Sequence, residues 1–375
     1  MSMTATTPAP ALLRDRLARA RAAAHAAGID ALVVAPGTDL TYLIGGTGHS
    51  FERLTCLVVA DETVLVVPKL EAPGYAGLPT ADLGVRVATW VDGENPYAMV
   101  ADLLGPATQV AVGDMLPALH TLALRDALPT ARQVLAGPVL SELRMRKDAA
   151  EIAGLRTAGA AIDRVHARMG EWLRAGRTER EVGADIAAAI IAEGHISVEF
   201  VIVGSGPNGA SPHHELSDRV IEAGDVVVID IGGLVAEGYN SDSTRVYAVG
   251  EPRDADVLDT YAVLQQAQRA AVDFVKPGVT AEQVDAAARG VIADAGFGEY
   301  FIHRTGHGIG LDVHEDPYIV AGNDLVLEAG MAFSIEPGIY QPGRWGARIE
   351  DIVVVTETGV ESLNNRPHDL VVLPA

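Results

Sequence analysis

Val226-Val227-Val228-Ile229-Asp230-Ile231-Gly232-Gly233, followed after a short turn by Tyr239-Asn240-Ser241-Asp242-Ser243-Thr244-Arg245-Val246-Tyr247, is the stretch that decides the fold of this chain. The first run is apolar enough for a buried strand, and a carboxylate near its end must be paired, protonated or bound to a cation. The second run reads as the returning strand. With a three-residue turn ending in Gly238, Asp242 falls opposite Gly232 and diagonal to Asp230 on one face, with Cα atoms about 7–8 Å apart. Taken alone, the two acids are equally well explained by an Asp capping a turn and an Asp paired with Arg245.

The second half of the sequence repeats the theme. His303-Arg304-Thr305-Gly306-His307-Gly308-Ile309-Gly310-Leu311-Asp312-Val313-His314 holds three of the eleven histidines, interleaved with glycines that suit close approach of backbone to a site. Further on, Ala332-Phe333-Ser334-Ile335-Glu336-Pro337-Gly338 ends a strand in a glutamate, and Arg348-Ile349-Glu350-Asp351 opens the returning strand with another. Four carboxylates gathered together raise one another's pKa, whereas two divalent cations neutralise them. Asp230, Asp242, Glu336 and Glu350 with one imidazole form an oxygen-rich, thiolate-free set suited to Mn²⁺, Co²⁺ or Zn²⁺. Paired ions of that kind activate water and polarise a carbonyl, which is the chemistry of hydrolysis. His213, His303 and His314 are then left to supply protons or hydrogen bonds to an intermediate and a departing nitrogen.

Working outward, an apolar share of 49% against 21% charged residues excludes disorder and favours a compact α/β chain of two domains. We expect an N-terminal α/β domain over residues 1–136, serving as support or oligomerisation surface, and a catalytic domain over 137–375. In the first, a helix over 12–27, a strand over 31–35, a hairpin either side of Asp61-Glu62 and further α/β units lead up to the break at Gly137-Pro138; its isolated histidines His25, His49 and His120 read as structural. In the second, a helical pattern runs from Asp148 to Arg174. A net charge of −22 repels phosphate backbones and anionic bilayers, so nucleic acid and membrane surfaces are excluded as partners. A single cysteine, Cys56, allows no intrachain disulfide and no thiolate metal site, and the N-terminal residues show no signal-peptide pattern; both suit a cytoplasmic protein.

Within the second domain, Gly176, Thr178, Val182, Ala184, Ile190 and Gly194 recur 102 positions on as Gly278, Thr280, Val284, Ala286, Ile292 and Gly296. Each copy opens with a capping box, Thr178 with Glu181 and Thr280 with Gln283, so a duplicated half-domain with its site between the halves is expected. Gly204-Ser205-Gly206-Pro207-Asn208-Gly209 matches a dinucleotide fingerprint in spelling alone, since Ala210-Ser211-Pro212-His213-His214 cannot continue the helix such a fingerprint needs.

The segments from Asp230 to Arg245, His303 to Pro317, Ser334 to Tyr340 and Arg348 to Asp351 together resemble the pita-bread metallopeptidases, over about residues 140 to 370. That family comprises methionine aminopeptidase, aminopeptidase P, prolidase and the metal-free creatinase. The resemblance implies an α+β architecture: a creatinase-like N-terminal domain followed by a pseudo-twofold pita-bread catalytic domain. It further implies five metal ligands in Asp230, Asp242, His307, Glu336 and Glu350, with Asp242 and Glu350 bridging two ions and Glu336 doubling as base. By the same resemblance His213 contacts substrate or intermediate, His303 and His314 are outer histidines, and Arg348 orients Glu350. All five ligand positions are filled, which disfavours the creatinase type. The spacing from Asp230 to Asp242 is one residue longer than the family's, and implies an insertion near Val235-Ala236 at a hairpin tip remote from the ligands. The additional N-terminal domain resembles prolidase and aminopeptidase P, which implies hydrolysis before proline, of Xaa-Pro dipeptides or alternatively of longer peptides, in a homodimer using manganese. A pita-bread binding protein without turnover is the remaining alternative.

Overall fold

The apolar runs of the first third become the strands of a single sheet because helices cover them. The computed structural model describes residues 6–46, 48 and 52–375; His49 and the first five residues lie outside these. In order come α1 (Pro10–Ala26), β1 (Ala31–Val34), α2 (Thr38–Ile44), β2 (Cys56–Val59), β3 (Thr63–Pro68), α3 (Thr80–Leu83), β4 (Val85–Trp90), α4 (Pro96–Leu104), β5 (Gln109–Val112), α5 (Ala118–Ala127), β6 (Arg132–Leu135) and α6 (Gly137–Met145). The sheet order is β4-β3-β2-β1-β5-β6, and the expected hairpin is present as β2 and β3. The sequence reading did not identify α2 and β4: the first has no side-chain cap, and the second exposes the middle of its run.

The chain divides into one compact unit over residues 7–144 and another that joins Thr6 to residues 145–375. The division lies beyond the break expected at 136/137 because α6 belongs with the first unit. Its Arg144 donates to Asp39 at 2.8 Å, and the Tyr42 hydroxyl donates to the Leu143 carbonyl at 3.3 Å.

The second unit contains α7 (Ala149–Ala167), α8 (Glu179–Ala192), β7 (His195–Ser205), β8 (Val226–Val235), β9 (Asn240–Val249), α9 (Val257–Phe274), α10 (Ala281–Asp294), β10 (Gly306–Gly308), β11 (Glu315–Ile319), β12 (Ala332–Ile335), β13 (Gly338–Gln341), β14 (Trp345–Arg348), β15 (Asp351–Val355), β16 (Val360–Ser362) and β17 (Val371–Leu373). The helical pattern expected to reach Arg174 stops at Ala167, after which the chain tightens into a 3₁₀ turn over Met169–Glu171. One sheet has the order β17-β9-β8-β7 and the other β11-β10-β12-β15-β16, with β13 and β14 as a separate ribbon. A bridge between Thr244 and Glu350 joins the two sheets.

Strand alternation places the site. Val227, Ile229 and Ile231 of β8 pack with Ile162 and Val165 of α7 and Val182 and Ile186 of α8. Asp230 and Gly232 therefore face the opposite side, away from the helices. In the second half Leu264 of α9 and Val284 of α10 pack with Phe333 and Val353 in the same way.

The repeat is real at the level of hydrogen bonds. The Gly176 amide donates to Ile221 O at 2.9 Å, the Gly278 amide to Leu327 O at 2.9 Å, and the bridges Thr178–Val220 and Thr280–Val326 follow in register. Both glycines have positive φ, +87° and +92°, which is why each copy keeps a glycine there. The Thr178 box is reciprocal, with Glu181 N bonded to Thr178 Oγ1 at 3.2 Å and Thr178 N to Glu181 Oε2 at 2.9 Å. In the second copy Thr280 N donates to Gln283 Oε1 at 2.9 Å. Replacing Thr178 by Ala is expected to cost about 1 kcal/mol of stability, measurable as a shift in the urea midpoint with unchanged slope; no shift would show that the cap contributes nothing here.

Candidate metal centre and active site

Gly232 and Asp242 are paired across β8 and β9, as the three-residue turn requires, and Asp230 sits opposite Thr244. Asp242 is the third residue of β9, so the hairpin tip at which an insertion is expected lies close to this candidate ligand rather than remote from it. Arg245 points the other way and pairs with Asp351 at 2.7 Å, which removes the Asp242–Arg245 explanation. In the second half Ile335 pairs with Asp351, so Glu336 and Glu350 lie just past the end of the β12–β15 ladder, where the chain leaves for the ribbon. Gly306 brings β10 against β12 so closely that a Cβ there would lie 1.8 Å from Ser334 O. That approach seats His307, whose amide donates to Ser334 Oγ at 3.0 Å.

Three overlapping groups have potential ligand atoms within 4.8 Å of one another: Asp230 with Asp242 and Glu350, His307 with Glu336 and Glu350, and Asp242 with His307 and His314. The His307 Nε2 lies 3.6 Å from Asp242 Oδ2 and 3.3 Å from Glu336 Oε1. Its Nδ1 donates to Gly308 O at 3.1 Å, a contact a carbonyl can make only as acceptor, so the Nε2 lone pair points at the carboxylates. Burial and the nearby His314 hold the His307 ring neutral, with its pKa lowered to about 3. Burial, then repulsion from Glu350, Asp230 and Glu336, raises Asp242 far above the usual carboxylate range. Glu350 is raised by burial and by Glu336 and Asp230. Glu336 is pushed up to about 7, chiefly by burial.

The donor set fits a pair of hard divalent cations. Asp230 Oδ1 and Asp242 Oδ1 are buried with no hydrogen-bond partner among the described residues, and residues 145–375 contain no cysteine. Buried carboxylate oxygens left bare in this way call for a cation.

Arg348 donates to Asp230, to Thr244 Oγ1 at 3.1 Å and to the Tyr340 hydroxyl at 2.6 Å. Thr244 in turn donates to Glu350 Oε2 at 2.6 Å, so Arg348 reaches Glu350 through this threonine. The Tyr340 hydroxyl donates to His303 Nε2 at 2.9 Å, while His303 Nδ1 donates to Arg304 O at 2.7 Å. Both ring nitrogens of His303 are thus engaged inside the protein, and burial lowers its pKa to about 3. His303, expected to supply protons or hydrogen bonds, accepts from the Tyr340 hydroxyl, which itself accepts from Arg348. Neither His213 nor His314 makes a ring hydrogen bond to the described residues, and both line a cavity of about 960 Å³ with the five candidate ligands, Arg304 and Arg348. Phe200, Ile202, Ile302 and Val313 supply its apolar walls. Sequence reasoning missed Thr244 and Tyr340 as site residues. The signal for Thr244 was its place two residues beyond Asp242 on one strand face.

The dinucleotide spelling at Gly204–Gly209 ends in a five-residue 3₁₀ turn, Gly206–Ala210, with Ser211 extended after it, so the helix N-terminus a pyrophosphate needs is absent. Residues 153–357 match Metallopeptidase family M24. The chain belongs to that family. Residues 16–146 match the Creatinase/Prolidase N-terminal domain, so an M24 catalytic domain follows a creatinase-type domain in this member. A probable dipeptidase PepE of Mycobacterium tuberculosis is 62% identical over 96% of both chains. The crystal structure of dipeptidase PepE from Mycobacterium ulcerans superposes with a TM-score of 0.95 at 60% identity, covering 99% of this chain and 100% of that one. A prolidase from Thermococcus sibiricus gives 0.88 at 38% identity over 96% and 98%.

The M24 site generates a pH prediction. Between the unfolded carboxyl pKa of about 4.3 and the value of about 7 for Glu336, the folded metal-free protein binds protons that the unfolded chain has released. Those carboxylates therefore weaken the metal-free fold as pH rises through this window. Cations bind the ionised form, so the gain in Tm on adding Mn²⁺ to chelator-stripped protein is expected to be larger at about pH 7.5 than at about pH 5.5. An equal gain would contradict the site. Asp242→Ala and Glu350→Ala are expected to lose the gain altogether.

Proposed function

We propose that the protein hydrolyses the peptide bond before proline in Xaa-Pro dipeptides, using two divalent cations, manganese foremost, held by Asp230, Asp242, His307, Glu336 and Glu350. The convergence of these five side chains in the lining of one cavity carries the reading, and membership of M24 with dipeptidase relatives supports it. Such a cation pair polarises the scissile carbonyl and lowers the pKa of water. The chain's own groups do the rest. Glu336, oriented by Ser334 Oγ at 3.1 Å, takes the proton of the attacking water and returns it to the proline nitrogen, which as a tertiary amide carries no hydrogen and must be protonated to leave. His213 and His314 donate hydrogen bonds to the oxygen that gains charge as the carbonyl becomes tetrahedral. Arg348 fixes Asp230 directly and Glu350 through Thr244.

The M24 relatives make aminopeptidase P chemistry on longer peptides the second reading, favoured by the same domain order. A homodimer and a cytoplasmic setting complete the proposal. The first rests on exposed apolar side chains of the N-terminal unit, including Met115, Leu119 and Leu135, the second on the lone buried thiol of Cys56. No helix among the described residues is long and apolar enough to cross a membrane.

Assay of Mn²⁺-reconstituted protein on Ala-Pro beside Ala-Pro-Ala decides between the two. Cleavage of Ala-Pro in preference to the tripeptide is expected; preference for the tripeptide moves the assignment to aminopeptidase P, and cleavage of neither rejects both. His213→Ala and His314→Ala are expected to lower kcat by about 10²-fold while keeping two bound cations. His314 belongs to one of the three ligand groupings, so loss of a cation in His314→Ala would make it a ligand instead.

A further inference from the structure

Glu179, the first residue of α8, is fully buried and is not among the residues that line the cavity with the candidate ligands. Every partner of its carboxylate comes from the chain that carries His213. Ser205 donates through its amide at 2.8 Å and its hydroxyl at 2.7 Å, Asn208 Nδ2 lies at 3.1 and 3.2 Å from the two oxygens, His214 Nε2 at 2.7 Å, and Ser217 Oγ completes the set. These residues bracket Ser211-Pro212-His213, the part of the loop that reaches the cavity. From the other side the loop touches the metal centre's own scaffold. Arg348 lies 3.4 Å from Pro212 O, and a Cβ on Gly346 would meet Gly209 O at 2.1 Å. His213 itself has no ring hydrogen bond to the described residues, so its position is set by the backbone on either side. Behind that backbone stands Glu179, bonded to four of the loop's residues. Burial opposes the charge, but the bonds from Ser217, Ser205 and His214 outweigh it and keep the carboxyl below its ordinary pKa, so the clamp is ionised at neutral pH.

We propose that Glu179 is a positioning residue for His213, holding the 205–217 loop so that the imidazole meets the substrate carbonyl. The inference rests on the reading of His213 as a group that touches substrate. Glu179 touches neither substrate nor cation. Its effect on turnover passes through His213 and disappears when that ring is gone. A fully satisfied buried network of this kind fixes one loop conformation, and a displacement of about 1 Å at a reacting group costs up to about 10²-fold in rate.

A double-mutant cycle on the Mn²⁺-loaded enzyme tests it, comparing Glu179→Gln, His213→Ala and the double variant on Ala-Pro, with bound metal and Tm measured for each. Glu179→Gln is expected to lower kcat about tenfold with unchanged KM and metal content, and the double variant to be no slower than His213→Ala. Losses that multiply would show that Glu179 acts elsewhere and overturn the proposal, as would wild-type kcat in Glu179→Gln. Histidine-selective ¹³C NMR supplies a readout independent of activity. The ring resonance that vanishes in His213→Ala is expected to shift or broaden in Glu179→Gln, and an unchanged line overturns the proposal. If the wild type cleaves no Xaa-Pro peptide but that line shifts, the positioning stands and the substrate assignment falls. Ser217→Ala, which removes a single donor, replaces Glu179→Gln if the latter does not fold and should show the same absence of effect in the His213→Ala background.

Discussion

Four carboxylates gathered around one buried guanidinium is the constraint on which this structure depends. Asp230, Asp242, Glu336 and Glu350 converge from two sheets, and the buried Arg348 pairs directly with Asp230 and lies 3.9 Å from Glu336. At an effective dielectric of about 20, two like charges about 4 Å apart repel by about 4 kcal/mol, and a domain's whole stability is about 5–15 kcal/mol. Protons or divalent cations must therefore enter the cluster. The raised pKa values of Asp242, Glu350 and Glu336 express the first solution, and the bare oxygens of Asp230 and Asp242 leave room for the second.

That constraint explains the architecture around it. Each sheet brings two of the acids, and the sheets touch where Thr244 bridges to Glu350, so neither half can build the site alone. The helices stand on the far faces, where Ile229 and Phe333 meet them. Polar side chains on the near face form a directed chain: Arg348 to Tyr340, Tyr340 to His303, His303 to the Arg304 carbonyl. Among the described residues, the side-chain donors to the four carboxylates are Arg348, Thr244 and Ser334.

Much of this was legible in the sequence, and for identifiable reasons. The register that sets Asp242 opposite Gly232 followed from strand alternation and turn length, both local properties. The duplicated capping sites followed from helix termini that each carry the chemistry their free amides require. What escaped was set by tertiary packing. β4 lacked a continuous apolar face, and α6 was assigned to the wrong unit because Asp39, its partner, is distant in sequence. The pairing of His303 depends on a tyrosine that enters from the ribbon, and no spacing in the histidine cluster announces it.

The two halves also show where a duplication stops dictating detail. In the first, Glu179 holds the loop bearing His213. In the second, Asp285 of α10 accepts from Thr305 Oγ1 at 2.8 Å and pairs with Arg289, which donates to His303 O at 2.8 Å. Both acids are buried near the start of the equivalent helices and both secure a histidine-bearing segment. Yet 102 positions beyond Glu179 stands Ala281, and 102 before Asp285 stands Gly183. The shared glycines and capping residues keep register because backbone geometry demands them at fixed places. A carboxylate that anchors a loop needs only to reach it, so each half met the same physical need from a different turn of its helix.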